Sequence, residues 1–425
     1  MRLVCLRSRL SGAVDIPGSK SHTIRAITVA ALADGESRIE SPLISADTLA
    51  AVDAYRALGA EIDATRPESW VVHGFSGRPK APANVIDVRN SGTTLRIATG
   101  SAALLSNGLA VFTGDHQIRR RPIGPLAQSL NDLGASVTST LGNGCAPLVV
   151  GGRLRGGKTS IEAVSSQYLT SLLMACPLAD GDSEIDVPLL NEAPYVEMTL
   201  DWLKHSGITL ERDELRRFHV PGGQQYRPLS RRVAADFSSA TFFLAAGALG
   251  DNDVLVRGLD MNDPQGDKAV IDYLRLMGAR IDVQPDGIRV RPGELKGCEI
   301  DLNATPDALP MMAVVGCFSF GKTSLVNVPQ ARLKETDRIA VMAAELSKMG
   351  AVIRERPDGL EIEQSRLRGA EVDGHHDHRV VMALAVAGSA VEGRTIIQTA
   401  EAMEVTFPTF VDCMSRLGGR LSLEQ

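Results

Sequence analysis

Two hydrophobic patterns alternate along the 425-residue chain. The first has a polar start, about ten apolar or small residues, a turn and then a short strand with alternating polarity. A helix that is apolar nearly all round leaves no face for water, so we expect each of these helices to be buried. The six segments are 19–40, 90–112, 165–187, 236–256, 305–328 and 376–397.

The second pattern is a helix with one polar face that ends in Gly and leads into an alternating strand. Apolar residues at i, i+3, i+4 and i+7 mark these helices, and the Gly supplies a left-handed cap. The six segments are 47–63, 121–139, 195–210, 267–283, 336–353 and 407–423. Together the two patterns predict an α/β fold of six βαβαββ-type units, repeated about every 70 residues.

Six such units would form two domains of three units, each with buried helices surrounded by sheet and outer helices. The segment 218–236 is rich in Gly, Pro and Arg, which is typical of a crossing between domains. A first crossing is expected near Pro17 and Gly18. If the N-terminal strand pairs with the last repeats, residues 19–233 form a continuous domain. Residues 1–18 and 234–425 then form a discontinuous one.

Composition narrows the class of protein. A net charge of -6 and an aromatic content of 4% suit nucleic-acid binding poorly. The longest apolar runs are shorter than the roughly 18 residues that span a bilayer, and arginines interrupt the N-terminal stretch. We therefore expect a cytoplasmic protein that binds neither membrane nor nucleic acid.

Cysteine and histidine do not indicate a metal centre. The six cysteines contain no C-x-x-C pair, which favours reduced, buried thiols. His375, His376 and His378 are close in sequence, but neighbouring residues at the start of a helix point in different directions. We predict neither a metal nor an organic cofactor.

Cations occupy helix starts, where the helix dipole favours carboxylates. A bound anion would offset that cost, because helix N-termini offer free N–H groups to phosphate. The cationic and histidine side chains at these starts are Lys20, Arg25, Arg119, Arg120, Arg121, Lys334, Arg338, His378 and Arg379. Small donors at equivalent places are Ser19, Ser21, Ser91, Thr93, Thr94, Ser165, Ser166, Gln167, Ser238 and Ser239.

Two carboxylates, Asp307 and Glu335, also lie at the starts of repeat units. Carboxylates among cations suit proton transfer on a polyanionic substrate. Asp377 has either a similar role or one as a structural helix cap. The segments 152–159 and 316–323 match a P-loop expression, but each leads into a strand rather than a helix, so ATP binding is not predicted.

The ordered motifs along the whole chain resemble one family. They are PGSKS (17–21), NSGTT-x-R (90–96), TGD (113–115), RRP (120–122), SSQ (165–167), D-x-S-S-A (236–240), PDA (306–308), LKETDR (333–338) and DHR (377–379). The chain is similar to the 5-enolpyruvylshikimate-3-phosphate synthases. The resemblance implies two inside-out α/β barrel domains that close on shikimate 3-phosphate and phosphoenolpyruvate. It implies a transferase of the shikimate pathway, in chorismate and aromatic amino-acid biosynthesis.

The resemblance also implies residue roles. Shikimate 3-phosphate would be held by Lys20, Ser21, Arg25, Ser165, Ser166, Gln167, Tyr195, Asp307, Gln330 and Lys334. Phosphoenolpyruvate would be held by Lys20, Gly92, Arg121, Gln167, Arg338 and Arg379. Asp307 would take the proton of the 5-hydroxyl as it attacks C2 of the enol. Glu335 or Lys20 would protonate the methylene carbon.

The chain departs from the family pattern at three positions, where Val405 replaces Lys, Glu192 replaces Ser and Gln330 replaces Asn. One alternative is the related enolpyruvyl transferase that acts on UDP-N-acetylglucosamine, but its reactive cysteine is absent from the loop 114–122. Another is a clamp-like protein of six repeats, which would carry its cations along an inner helical face rather than at helix starts. We expect a monomer.

Overall fold

The computed structural model describes all residues of the chain, 1–425. The residues form two compact units. Unit 1 consists of Met1–Pro17 and Ala235–Gln425, and unit 2 is the continuous stretch Gly18–Ala234.

Twelve α-helices are present, and six short 3-10 turns lie between them and the strands. The helices are α1 (Lys20–Leu32), α2 (Ala46–Ala57), α3 (Gly92–Ala102), α4 (Gly124–Asp132), α5 (Ser166–Ala175), α6 (Ala193–His205), α7 (Phe237–Gly247), α8 (Val270–Met277), α9 (Leu309–Phe318), α10 (Arg338–Lys348), α11 (His378–Ala390) and α12 (Phe410–Arg416). The 3-10 turns are Ile118–Arg120, Cys176–Leu178, Gly266–Ala269, Pro306–Ala308, Pro329–Leu333 and Ala400–Val405.

Twenty-four strands accompany these helices. The strands are β1 (Arg2–Leu6), β2 (Ser11–Asp15), β3 (Glu36–Glu40), β4 (Glu61–Asp63), β5 (Ser69–His73), β6 (Ile86–Asp87), β7 (Leu109–Thr113), β8 (Ser136–Ser139), β9 (Leu148–Gly151), β10 (Gly157–Ala163), β11 (Ser183–Leu190), β12 (Glu211–Asp213), β13 (Arg217–Val220), β14 (Ser230–Arg232), β15 (Asp253–Arg257), β16 (Arg280–Gln284), β17 (Gly287–Arg291), β18 (Glu299–Asp301), β19 (Lys322–Val326), β20 (Val352–Arg356), β21 (Gly359–Glu363), β22 (Glu371–Asp373), β23 (Arg394–Gln398) and β24 (Arg420–Glu424).

The strands form six four-stranded sheets with one shared topology. In unit 2 the orders are β14-β3-β5-β4, β6-β7-β9-β8 and β10-β11-β13-β12. In unit 1 they are β16-β17-β15-β2, β18-β19-β21-β20 and β22-β23-β1-β24. Each sheet has one parallel edge pair and two antiparallel pairs. The predicted α/β fold of six equivalent repeats is therefore confirmed.

Strands distant in sequence complete three of these sheets. In unit 1, β1 pairs antiparallel with β23 and β24, and β2 pairs parallel with β15. In unit 2, β14 pairs parallel with β3, although nearly two hundred residues separate them, as in the pair Arg231 and Ile39. Each unit thus closes its own set of three sheets.

The helices divide into the two predicted classes. Every residue of α3 and α7 is buried, and α1, α5, α9 and α11 are buried along nearly their whole length. The second helix of each repeat buries one face only, as in α4 and α10. In unit 2 the buried helices α1 and α5 both contact α3, and in unit 1 α7, α9 and α11 contact one another.

Glycine lets the sheets approach two of the buried helices closely. A Cβ atom on Gly247 of α7 would lie 2.9 Å from Val290 Cβ, and one on Gly388 of α11 would lie 2.8 Å from Thr395 Cβ. Any larger residue would push the helix away from its sheet.

The two segments that match the P-loop expression lead into strands, as predicted. Gly157 begins β10 and Lys322 begins β19. Neither segment leads into the helix that a P-loop requires. Across the chain, none of the helices combines the length and the apolar character that crossing a bilayer needs.

The core of unit 1 contains an aromatic cluster whose loss should destabilise that unit. The ring centroid of Phe243 lies 5.8 Å from that of Phe407 and 5.7 Å from that of Phe410. We expect Phe243→Ala to cost about 3–5 kcal/mol of unfolding free energy, because it leaves a cavity and removes these contacts.

Circular dichroism during urea denaturation measures this loss. Tryptophan fluorescence follows unit 2 separately, because Trp70 and Trp202 both lie in it. The control is Phe320→Ala, whose side chain is 70% exposed and should change stability by less than about 0.5 kcal/mol. Equal effects of the two substitutions would contradict the prediction.

Candidate active site

The only incompletely buried residues of α1 and α5 lie near their N-terminal ends. In α1 these are Lys20 and Ser21, and in α5 the residue is Gln167. All three were predicted as site residues. A buried helix can present its backbone donors to a ligand only at its N-terminal end, so these are the positions at which α1 and α5 are open to an anion.

Gly92 begins α3 and lies against the guanidinium of Arg121. A Cβ atom at position 92 would lie 2.7 Å from Arg121 Cζ, well inside contact distance. The absence of a side chain therefore lets a buried cation lie directly over the first turn of α3. The structure brings these two predicted residues together.

Gln167 is held by two residues of α3. Arg96 Nη1 donates to Gln167 Oε1 at 2.8 Å, and Gln167 Nε2 donates to Thr93 Oγ1 at 3.1 Å. Arg96 Nη2 donates to the carbonyl of Pro122 at 3.1 Å, and its guanidinium lies 5.4 Å from the ring centroid of Tyr168. Burial lowers the pKa of Arg96. Arg96 thus fixes the orientation of the Gln167 amide.

Arg25 is a fully buried cation that joins α1 to α5 and α6. It donates to the carbonyls of Ser21 at 3.0 Å and Tyr195 at 3.1 Å, and to the hydroxyls of Thr170 at 3.2 Å and Thr199 at 2.9 Å. Burial lowers the pKa of Arg25 to about 10, so it remains charged at neutral pH. Its contacts therefore connect the predicted residues Ser21 and Tyr195.

The other predicted residues of unit 2 already have protein partners. Lys20 Nζ lies 3.0 Å from Asp47 Oδ2. Ser165 is the N-cap of α5, and its hydroxyl accepts from the Gln167 N–H at 3.4 Å. Ser166 donates to the carboxylate of Glu192 from its backbone at 3.1 Å and from its hydroxyl at 2.7 Å. Glu192 is one of the three positions at which the sequence is expected to depart from the family pattern.

In unit 1 the predicted residues form one ion-pair network around Asp307. Its carboxylate lies 2.7 Å from Arg338 Nη1, 2.8 Å from Arg379 Nη2 and 3.9 Å from Lys334 Nζ. Asp307 lies in the 3-10 turn before α9, whereas Arg338 begins α10 and Arg379 lies in the first turn of α11. Three helix starts therefore meet at this carboxylate.

Arg338 lies among three carboxylates and has an exposure of 1%. It donates to Glu335 Oε2 at 2.7 Å and to Asp377 Oδ2 at 2.8 Å, in addition to Asp307. Asp377 is also the N-cap of α11, where it accepts from the Arg379 N–H at 2.9 Å. The capping role considered for Asp377 is confirmed, and the same side chain fixes Arg338.

The network contains three cations and three carboxylates, so its charges balance. Burial opposes ionisation of Asp307, but Arg379, Lys334 and Arg338 outweigh it and hold the pKa of this carboxyl well below its usual range. Burial opposes the charged form of Arg338, but Asp377, Glu335 and Asp307 outweigh it. The pKa of Arg338 therefore lies above its usual value. A carboxylate with so low a pKa is a weak base until its cations are drawn away.

Two other positions lie outside this network. Gln330 is buried, and its Nε2 donates to the carbonyl of Asn303 at 3.0 Å. Its Oε1 atom is buried without a hydrogen-bond partner. Val405 ends the 3-10 turn Ala400–Val405.

Sequence reasoning missed Arg96 and Asp47. Arg96 was part of the quoted motif 90–96 and is the one charged residue in the buried helix α3, which was the available signal. Asp47 lies in the first turn of α2, as an ordinary N-terminal acid does. Only the tertiary structure brings it to Lys20.

The folds of solved proteins place the chain in a class of enzymes. An EPSP synthase from Acinetobacter baumannii superposes with a TM-score of 0.83 at 27% identity, over 99% of this chain and 100% of that chain. The enolpyruvyl transferase NikO from Streptomyces tendae superposes with a TM-score of 0.80 at 19% identity, over 99% and 98% of the two chains. The fold is that of the enolpyruvyl transferases.

Sequence comparison identifies the family. The family model for EPSP synthase (3-phosphoshikimate 1-carboxyvinyltransferase) matches residues 5–414. A protein of Acetivibrio thermocellus named 3-phosphoshikimate 1-carboxyvinyltransferase is 54% identical, over 99% of both chains. One of the same name from Ruminiclostridium cellulolyticum is 52% identical over 100% of both. The chain belongs to the EPSP synthase family, and the resemblance stated from its motifs is confirmed.

The ion pairs of Asp307 predict a specific dependence of stability on pH. Because its pKa is lower in the folded than in the unfolded chain, Asp307 stabilises the fold above the unfolded pKa. That contribution is lost as the pH falls through the folded pKa. We expect Asp307→Asn to lose about 3 kcal/mol at neutral pH, because its three cations lose a carboxylate.

Urea denaturation of the wild type and Asp307→Asn across a pH series measures this difference. The difference in unfolding free energy between the two proteins should be constant above pH about 5 and decrease only below pH about 4. Asp286→Asn is a matched control in the exposed turn between β16 and β17 and should differ from wild type by less than about 0.5 kcal/mol. A difference that grows as the pH falls would contradict the assigned sign.

Proposed function

We propose that the chain transfers the enolpyruvyl group of phosphoenolpyruvate to the 5-hydroxyl of shikimate 3-phosphate and releases phosphate. The observation that carries this proposal is the balanced ion network around Asp307 at the helix starts of unit 1. Polyanionic substrates need fixed cations, and cations held in place before the reaction also stabilise charge that develops during it. The named relatives support the same reaction.

Unit 2 supplies most of the proposed contacts to shikimate 3-phosphate. Lys20, Ser21 and Arg25 at the start of α1, with Ser165, Ser166 and Gln167 at the start of α5, offer charged and neutral donors to its phosphate and carboxylate. Tyr195 contributes from α6. Asp307, Gln330 and Lys334 are the proposed contacts from unit 1.

For phosphoenolpyruvate we propose Lys20, Gly92, Arg121, Gln167, Arg338 and Arg379. A Gly at position 92 allows the Arg121 guanidinium to lie over the start of α3. Arg338 is fixed by its three carboxylates before any substrate arrives. A cation that needs no rearrangement loses less free energy when it binds an anion.

The proposed reaction begins with addition. Asp307 accepts the proton of the 5-hydroxyl while the hydroxyl oxygen bonds to C2 of phosphoenolpyruvate. Lys20, or Glu335 once it has become protonated, gives a proton to C3. The group that gave the proton then takes one back from C3 as the C2–O bond to phosphate breaks, which restores the double bond and releases phosphate. In this proposal, cationic side chains of the protein neutralise the charge of the phosphate. The proposed steps therefore include no metal or organic cofactor.

Because the pKa of Asp307 is low, substrate binding has to activate this carboxylate as a base. An anionic substrate that attracts Arg379 and Lys334 weakens their pull on Asp307, and its pKa then rises toward the value that a base needs. Before that, Asp307 holds the cations in place as an internal counter-ion. We also propose that the chain acts on small molecules as a cytoplasmic monomer; its six scattered cysteines, with no C-x-x-C pair, suit a reducing compartment.

A direct assay tests the proposed reaction. The purified protein, mixed with phosphoenolpyruvate and shikimate 3-phosphate, should release inorganic phosphate and give a product heavier by the enolpyruvyl group in mass spectrometry. UDP-N-acetylglucosamine in place of shikimate 3-phosphate should release none. Release with the UDP-sugar alone would replace the proposed acceptor with the alternative one.

Removing the proposed base or acid should slow turnover. We expect Asp307→Asn and Glu335→Gln to lower kcat by about 10² to 10⁴, a range typical of a lost proton-transfer group. Dissociation constants from calorimetry should change far less than kcat. Asp286→Asn is the control and should keep wild-type rates. A kcat near the wild-type value in either variant would remove that residue from the mechanism.

A methyl group at position 92 should weaken phosphoenolpyruvate binding. Gly92→Ala forces the Arg121 guanidinium to move, because its Cβ would lie 2.7 Å from Cζ. We expect the KM for phosphoenolpyruvate to rise about tenfold, equivalent to about 1.4 kcal/mol, with a smaller change for shikimate 3-phosphate. Steady-state kinetics with each substrate varied in turn measures both, and equal changes would contradict the assignment of Gly92 and Arg121.

A further inference from the structure

Glu192 is a buried carboxylate in an unusual backbone conformation. Its φ and ψ are 60° and 40°, in the left-handed region that glycine favours, and its exposure is 2%. A residue other than glycine in this region costs of order 1 kcal/mol, so its surroundings must hold it there. The neighbouring Asn191 anchors the loop, with its N–H donating to the carbonyl of Ala163 at 3.1 Å and its Nδ2 to that of Val164 at 3.3 Å.

The carboxylate of Glu192 binds the first residue of α5. One oxygen, Oε2, accepts from both the backbone N–H and the hydroxyl of Ser166, at 3.1 and 2.7 Å. These are charge-assisted hydrogen bonds to the positive end of a helix, where an anion is favoured. An internal anion therefore occupies donors that an external anion would otherwise use.

Two buried arginines increase the attraction for an anion in this region. Burial lowers the pKa of both Arg25 and Arg96, whereas the negative charge of Glu192 acts to raise each of these pKa values. The hydrogen bonds of Arg25 and Arg96 go to hydroxyl, carbonyl and amide oxygens. Glu192 thus supplies negative charge beside two cations that make no ion pair with a carboxylate.

The same Ser166 donors are assigned above to shikimate 3-phosphate, and the inference rests on that proposed function. We propose that Glu192 is an affinity-determining residue that competes with the anionic group of the substrate for the N–H and hydroxyl of Ser166. Two anions cannot accept the same two hydrogen bonds, and their charges repel. Substrate binding must therefore displace Glu192 from Ser166, which lowers affinity for every anion at this position.

Binding of inorganic phosphate tests the competition without relying on catalysis. Glu192→Gln keeps the size and one acceptor oxygen of the side chain but removes its charge. We expect phosphate to bind this variant about tenfold more tightly than wild type in calorimetry, because a neutral acceptor competes less well than a carboxylate. Unchanged or weaker binding would overturn the proposal.

Glu197→Gln is the matched control, because it removes one carboxylate from α6, the helix that Glu192 immediately precedes. Glu197 pairs with Arg212 at 2.6 Å, and its side chain is 43% exposed. Its phosphate affinity should equal that of wild type. If both variants bind phosphate equally more tightly, the effect is one of net charge and the proposal is wrong.

Kinetics tests the same residue in the proposed reaction. In Glu192→Gln the KM for shikimate 3-phosphate should fall several-fold, whereas that for phosphoenolpyruvate should change less than twofold, since Ser166 is assigned to the first substrate only. Glu192→Ser, which places a hydroxyl at this position, should also lower the KM for shikimate 3-phosphate. A rise in the KM for shikimate 3-phosphate would show that Glu192 supports binding and would overturn the proposal.

Failure of this inference is distinguishable from failure of the proposed function. A wild-type protein that releases no phosphate from the two substrates contradicts the proposed function, whereas the phosphate titration still decides the competition. Melting temperatures of the variants show whether each is folded. If Glu192→Ser does not fold, Glu192→Gln decides alone, because it can still accept from Ser166.

Discussion

The burial of six helices on nearly all sides is the constraint on which the structure depends. Each of these helices is enclosed within its unit, so its side chains cannot reach a ligand except near an end. The N-terminal ends carry N–H groups that have no partner within the helix and a positive dipole charge, which favour anions. The same packing that stabilises the fold thereby restricts anion binding to the helix starts, where Lys20, Gly92, Gln167 and Arg379 are found.

Cations near helix N-termini interact unfavourably with the helix dipole, and internal carboxylates offset this electrostatic cost. In unit 1, Asp307, Glu335 and Asp377 balance Lys334, Arg338 and Arg379, so the network is neutral before a substrate arrives. The balance also keeps Asp307 ionised and weakly basic. Under the proposed function, a substrate anion takes over part of that role, which couples binding to activation of the base. In unit 2, Glu192 is an internal anion of the same kind.

The sequence predicted the repeats well, because hydrophobic period and position in the chain are local properties. The polar start and apolar body of 90–112 became the fully buried α3, and the one-sided pattern of 336–353 became the half-buried α10. The roles of Arg96 and Asp47 could not be predicted in this way. A charge in an otherwise buried helix signals a partner, but the identity of that partner depends on which helices pack side by side.

The sequence by itself determined the six repeats, the two helix classes, the family and the residue types at the helix starts. Periodicity and motif order do not depend on how the units are arranged in space, so they can be recognised without the tertiary structure. Only the tertiary structure decided that β14 completes the sheet of β3, that Arg338 lies among three carboxylates, and that Glu192 binds Ser166. These facts depend on distances between residues far apart in the chain, and those distances also set the pKa of Asp307.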